Sequence, residues 1–223
     1  HWDSRDLAFK IMKEKINNKK IIFASSSPRR KKIIQNYKYD FLFENPKFIE
    51  DVKTNKSAKH FTQYNATEKA ISVSKFFPQN YVISADTVLD YKGKVIGKPL
   101  NKLDALHTLK LLNGDYHEVI TSLAIVKDNQ LITSANKITL VKTYKISLDK
   151  IKQYLLTDYY KDKAGSYGIQ NNKFVFVKEF YGCYLNIVGL PICLLGEILT
   201  EINFKKSIKF SLCNKEKLWI YLE

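Results

Sequence analysis

Residues 21 to 30 read Ile-Ile-Phe-Ala-Ser-Ser-Ser-Pro-Arg-Arg, a short apolar run that passes through three hydroxyl side chains into a proline and two adjacent arginines. This order restricts the local fold to a buried strand followed at once by a helix. Ile21 to Ala24 suit the strand, Ser27 suits a helix N-cap, and Pro28 stands where the helical N–H would have no partner anyway. The free N–H groups and positive dipole end of such a helix, with Ser25 and Ser27 hydroxyls beside them and an Arg29 or Arg30 fork within reach, suit an oligophosphate. The same string also suits an ordinary strand-to-helix turn with solvated arginines.

Downstream, strand and helix patterns alternate. Asp40 to Phe43 reads as a strand, Ala58 to Phe77 as a long helix stopped by Pro78, and Tyr81 to Ala85 as a strand. Tyr91-Lys92-Gly93-Lys94 is a hairpin-type turn, and Leu103 to Leu112 is a helix stopped by Asn113-Gly114. His117 to Val126 turns at Asp128-Asn129 into a second long strand from Leu131 to Tyr144. Ser147 can cap a helix through Leu156. Beyond it the pattern gives a Gly-rich loop, strands at Phe174 to Val177 and around Tyr184 to Val188, and a helix begun by Pro191. Together these predict an α/β protein with a mixed sheet flanked by helices.

At 223 residues, one large domain or two tightly joined lobes can form, with a lobe boundary near Pro78 or Ser147. Leu7 to Ile16 has helix-like spacing and reads as an appendage, and the alternation from Ser207 onward suggests a terminal hairpin. The division expected is an N-terminal helical appendage over 1–19, a main α/β domain over 20–204 and a C-terminal extension over 205–223.

The net charge of +15 raises the question of nucleic acid. The lysines are scattered along the whole chain among Asn, Ile and Tyr and form no basic stripe or aromatic-basic ladder, which argues against nucleic acid as the main partner. Leu185 to Leu199, the most apolar stretch, is broken by Asn186, Gly189, Pro191, Gly196 and Glu197 and cannot span a membrane. Three cysteines, Cys183, Cys193 and Cys213, show neither zinc nor Cys-x-x-Cys spacing, so a reducing, cytoplasmic compartment is expected. The first residue is His1, which leaves a leader segment open.

Asp86 directly follows the expected strand Tyr81 to Ala85, at the carboxyl end where open α/β sheets bind ligands, so it suits a metal-holding carboxylate or a turn cap. Gly97 permits close backbone approach, and Lys98 offers a mobile charge for a phosphate. Glu50 and Asp51 form a second acidic spot that suits Mg²⁺ or Mn²⁺ if it converges on Asp86, or solvated surface if it does not. In Asp162 to Gln170, two glycines bracket Tyr167 and precede Gln170, an aromatic and an amide able to stack on and pair with a base; a surface loop is the alternative.

Taken in order, Ser25-x-Ser27-Pro28-Arg29-Arg30, Glu50, Glu68-Lys69-Ala70, Ala85-Asp86-Thr87, Gly97-Lys98-Pro99, Gly114-x-x-His117-x-Val119-x-Thr121, Asp162 to Gln170 and Asn186-x-Val188-Gly189-Leu190-Pro191 resemble the Maf family of nucleoside triphosphate pyrophosphatases. The resemblance runs from about Lys20 to Leu199. It implies a two-lobed α/β fold with a central cleft, related to inosine triphosphate pyrophosphatases, and divalent-cation-dependent hydrolysis of a nucleoside triphosphate to monophosphate and pyrophosphate. It implies catalytic roles for Asp86, Glu50 and Lys98, with Glu50 and Asp86 as metal ligands. Substrate contacts are implied for Ser25, Ser27, Arg29, Arg30, Lys69, Thr87, Lys163 and Gln170. Ala85-Asp86-Thr87 together with Asp162 to Gln170 resembles the branch acting on dTTP, UTP and modified pyrimidine nucleotides, and family members are often homodimers. Three departures stand out: Ile49-Glu50-Asp51 where an acidic pair is usual, so that Asp51 is the alternative ligand, Gly97 where glutamate is common, and Ser166 where alanine is common. A non-catalytic nucleotide-sensing regulator of division is the alternative function.

Overall fold

The computed structural model describes residues 20–48 and 56–204. The expected appendage at Leu7 to Ile16, the terminal hairpin and the Glu50-Asp51 acidic spot lie outside the described residues.

Among the described residues seven strands form one mixed sheet. In chain order the elements are β1 (Ile22–Ala24), α1 (Pro28–Asn36), β2 (Leu42–Glu44), α2 (Ala58–Ser74), β3 (Val82–Tyr91), β4 (Lys94–Ile96), α3 (Lys102–Leu112), β5 (Tyr116–Lys127) and β6 (Gln130–Thr143). They continue with α4 (Leu148–Tyr154), 3₁₀ turns at Asp158–Tyr160 and Ala164–Ser166, β7 (Val177–Tyr181), α5 (Tyr184–Val188) and α6 (Ile192–Thr200). The sheet order is β2-β1-β3-β5-β6-β7, with β4 paired to β3. β1 runs parallel to β2 and β3, and every other pairing is antiparallel.

Both hairpins follow from their turn residues. Lys92 and Gly93, at φ 52° and 82°, join β3 to β4, and Asp128 and Asn129, at φ 48° and 60°, join β5 to β6. Two consecutive positive φ angles give the turn whose twist matches the flanking strands, and Gly, Asn and Asp tolerate it best. The helix α2 shows a stripe of buried residues at Ala58, Phe61, Thr62, Asn65, Ala66, Lys69, Ala70 and Val73, the spacing of one helical face. Three members of that stripe are polar, and each meets a partner on the sheet. Ser57 caps the helix by accepting from His60 N.

Two large apolar clusters form most of the core. One cluster holds Phe23, Ile34, Ile83, Leu123 and Leu195, and a second holds Leu89, Leu109, Tyr154, Tyr167 and Phe176. Cys183 and Cys193 are both buried. Among the described residues no helix is long and apolar enough to cross a membrane.

Four expectations need correction. Asp86 does not follow its strand but sits inside it, because β3 stays paired with β5 from Val82 to Asp90. Tyr184 to Val188 is helical; the run is short and apolar, a pattern that strand and buried helix share, and Gly189 at φ 114° ends it as a left-handed cap. The strand expected at Phe174 to Val177 begins instead at Val177, where pairing with Thr143 of β6 starts. Ser27 occupies the N-cap position of α1, yet its side chain makes no capping bond; its N–H donates to Ser25 Oγ at 3.2 Å.

Candidate active site

The edge of β3 creates the cleft. On one side β3 is paired with β1 as far as Ser84 and with β4 from Leu89 onward, so Ala85 to Val88 face an opening between two short strands. On the other side β5 holds the same residues in register, Asp86 opposite Ser122 and Thr87 opposite Thr121. Successive residues of a strand point to opposite faces, so Asp86 turns toward α2 and Thr87 toward α1 and α5. The cleft at this opening measures about 370 Å³ and takes its walls from both apolar clusters, Leu89 and Tyr167 from one, Ile169 and Val188 from the other.

Ser25, Ser27, Arg29, Arg30, Lys69, Asp86, Thr87, Lys98, Lys163 and Gln170 all line this cleft. The segments that supply them are distant in sequence. Glu50 lies outside the described residues, two positions beyond Phe48, which stands with Pro46 on the cleft wall.

At the floor, Asp86 is 3% exposed and each of its oxygens has a donor. Lys69 Nζ donates to Oδ1 at 2.5 Å, and Asn65 Nδ2 donates to Oδ2 at 3.2 Å. Both donors come from the polar part of the α2 stripe, one helical turn apart. A third polar member, Thr62, shares a hydroxyl contact of 2.7 Å with Ser122, and Ser84 Oγ donates to the Ala66 carbonyl. The helix therefore docks on the sheet through a buried polar ladder that fixes the Asp86 carboxylate.

Arg30 is directed into the fold. Its Nη1 donates to the Ala85 carbonyl at 2.8 Å, Nη2 to Thr87 Oγ1 at 3.0 Å and Nε to the Gly189 carbonyl at 2.8 Å. Ala85 lies where β1 has ended, so the guanidinium satisfies a strand carbonyl that would otherwise lack a backbone neighbour. It ties α1 to β3 and to the turn between α5 and α6. Thr87 Oγ1 also contacts Thr121 Oγ1 at 2.9 Å.

Arg29 faces the cleft mouth. Its Nη1 meets Asp162 Oδ2 at 2.5 Å and its Nη2 donates to the Asp162 carbonyl at 3.1 Å. Lys163 Nζ reaches Asp162 Oδ1 at 2.5 Å and the Tyr159 carbonyl at 2.6 Å, with its charge 3.6 Å from the centre of the Tyr159 ring. Burial pushes the Lys163 ammonium below its ordinary range, against the pull of Asp162. Burial also works to raise the Asp162 carboxyl, but the Lys163 hydrogen bond and the Arg29 charge outweigh it and hold the group below the usual carboxylate value.

The 162–170 segment bends sharply under this pair. Gly165 has φ +73°, and a Cβ there would fall 2.3 Å from Leu89 Cδ2, so only glycine fits. Its N–H donates to the Gly97 carbonyl at 3.0 Å, which couples the turn bearing Lys98 to this segment. Tyr167 is anchored behind the wall: its hydroxyl lies 2.7 Å from His117 Nε2. Burial lowers the His117 pKa to about 4, against the pull of the Asp115 charge, so the imidazole is neutral near pH 7.

Two features escape sequence reading. Asn65 belongs to none of the motifs, and its only sequence signal is its place one turn before Lys69 on the buried face. The pairing of Asp162 with Arg29 joins residues 133 positions apart, and no local pattern announces it.

The chain matches the Maf-like protein family over residues 20–202, and it belongs to that family. Among individual relatives, it is 38% identical over 185 residues to the dTTP/UTP pyrophosphatase of Pyrococcus horikoshii, covering 83% of this chain and 97% of that protein. It is 40% identical over 185 residues to the protein of the same name from Alkaliphilus metalliredigens, covering 81% and 94%, and 37% identical over 174 residues to that from Geobacillus sp., covering 78% and 93%. Among solved structures, the Staphylococcus aureus Ham1 protein aligns with TM-score 0.41 and 12% identity over 56% of this chain and 71% of that one.

Proposed function

We propose that this chain hydrolyses the α–β phosphoanhydride of dTTP, UTP and related pyrimidine nucleoside triphosphates, releasing the monophosphate and pyrophosphate. The observation that carries the reading is the convergence of Asp86, Lys69, Lys98, Arg29 and the start of α1 on one cleft, in a family whose closely matching relatives bear the dTTP/UTP pyrophosphatase name.

A triphosphate near charge −4 demands more positive than negative groups around it. The first-turn N–H groups of α1 and the Ser25 and Ser27 hydroxyls bind phosphate oxygens, and Lys69 and Lys98 stabilise charge that builds on the leaving pyrophosphate. Asp86 accepts a proton from the attacking water as its oxygen bonds to the α-phosphorus and the bond to pyrophosphate breaks. The hydrogen bonds from Lys69 and Asn65 hold that carboxylate in one orientation, and Arg30 holds the strand and the α5–α6 turn in place around it. Gln170 offers an amide donor and acceptor to the base, beside the apolar surface of Ile169 and Val188.

The donor set also suits a divalent cation. Asp86 keeps a lone pair on each oxygen beyond its two protein donors, and hard cations such as Mg²⁺ commonly combine one or two carboxylates with substrate phosphate oxygens. Among the described residues no three His, Cys, Asp or Glu side chains gather into a metal-binding group. Asp86, with Glu50 or Asp51 from beyond Phe48, would hold Mg²⁺ or Mn²⁺, which supplies charge neutralisation and a more acidic water.

The test is a pyrophosphate-release assay with dTTP, UTP, dCTP, ITP and 7-methyl-GTP, with Mg²⁺, with Mn²⁺ and with chelator. Metal-dependent release that is fastest with dTTP and UTP is expected. Tight dTTP binding without release from any nucleotide would overturn the proposal in favour of a sensor.

A further inference from the structure

Three cations of the cleft are already matched by carboxylates. Lys69 is matched by Asp86 at the floor, and Arg29 and Lys163 are matched at the mouth by a single carboxylate, Asp162. Asp162 is held as a phosphate would be held, one oxygen on the guanidinium and the other on the ammonium, each at 2.5 Å. The partners differ in exposure. The Asp162 side chain is 52% exposed, whereas Lys163 is 8% exposed and fixed by the Tyr159 carbonyl and ring, and Arg29 is 26% exposed. The carboxylate can therefore swing into solvent while both cations stay in place.

We propose that Asp162 is a built-in competitor for the polyphosphate, covering Arg29 and Lys163 in the empty cleft, yielding them to substrate and reclaiming them as pyrophosphate leaves. The inference rests on the reading of the cleft as a triphosphate site. Its physical basis is charge: an anion of −3 to −4 entering beside Asp162 meets a repulsion that a neutral side chain would not exert. Cations with no internal anion would bind substrate harder but would also retain product, and turnover suffers from uniform tight binding.

Calorimetric titration of inorganic pyrophosphate, in Mg²⁺ buffer at fixed ionic strength, separates this role from a structural one. Asp162→Asn and Asp162→Ser are both expected to bind pyrophosphate about tenfold more tightly than the unsubstituted chain, with product inhibition of dTTP hydrolysis strengthened by the same factor. Asp162→Glu keeps the charge and is expected to stay within about threefold of the unsubstituted chain. The two neutral variants differ in shape, so either one that folds carries the test. Unchanged or weaker pyrophosphate binding in the neutral variants would overturn the proposal and make Asp162 a positioning residue for Arg29. The titration needs no turnover, so failure of the pyrophosphatase reading appears separately, in the nucleotide assay.

Discussion

Replacing Lys69 by methionine tests the polar ladder under α2. The substitution keeps most of the side-chain volume but removes the ammonium 2.5 Å from Asp86 Oδ1, leaving a carboxylate that is 3% exposed with the Asn65 amide still donating to its other oxygen. Deleting one member of a buried ion pair costs about 3–5 kcal/mol, because the surviving charge stays desolvated. The Asn65 hydrogen bond and solvent in the cleft favour the lower end, about 3 kcal/mol. With a urea dependence of about 2 kcal/mol per molar for a domain of this size, the midpoint of unfolding should fall by about 1.5 M, read by far-UV circular dichroism. The double variant Lys69→Met/Asp86→Asn removes the stranded charge and should recover at least about 1 kcal/mol relative to the sum of the single effects. A midpoint shift below about 0.3 M in Lys69→Met, or strict additivity in the double variant, would show that the pair carries no such energy.

Three further outcomes follow from the same geometry. Asp86→Asn should lower kcat by about 10² to 10⁴ with little change in KM, the usual contribution of a positioned general base, and a variant keeping over half the turnover would refute that role. His117 titrates near 4 in the folded chain against 6.5 unfolded, so the unfolded state binds the extra proton between those values and stability must fall as pH drops through that window, by up to about 3 kcal/mol; His117→Gln should flatten that part of a pH-stability profile, and an unchanged slope would contradict it. Gly165→Ala combines a left-handed φ of +73° with a Cβ 2.3 Å from Leu89 Cδ2, which should cost about 2–5 kcal/mol and appear in calorimetry as a melting temperature lower by roughly 5–15 °C; an unshifted melt would mean that the turn relaxes freely.

Local chemistry was legible where one residue type has few alternatives. Lys92-Gly93 and Asp128-Asn129 announce their hairpins because few pairs accept two positive φ angles in succession, and Ser27-Pro28 announces the start of α1 because proline fits there and almost nowhere else in a helix. Tyr184 to Val188 carries a pattern that suits a strand, and its helical state is decided elsewhere. Asn186 donates from Nδ2 to the Val119 carbonyl and to Thr139 Oγ1, and both partners lie on the sheet. Asn65 shows the same limit within the site: the periodicity that marks α2 as a helix gives each buried position equal weight, and only the register of α2 against β3 turns one of them toward Asp86.

The brevity of β1 explains why so many functional residues meet here. Had β1 continued beyond Ala24, its backbone would have paired with Ala85 to Val88 and closed the edge of β3. Because it stops, the chain turns at Ser25 to Ser27 and places the start of α1 in the opening. Arg30 from the first turn of that helix then supplies the missing donor to the Ala85 carbonyl. The strand that ends early and the arginine that replaces it are thus one device, keeping Asp86 in a rigid strand while giving it a cleft. Arg30→Lys tests the coupling: an ammonium cannot reproduce a planar fork reaching Ala85, Thr87 and Gly189 together, so both stability and kcat should fall although the charge is retained. A lysine variant with wild-type melting and turnover would separate the arginine from the architecture of the cleft.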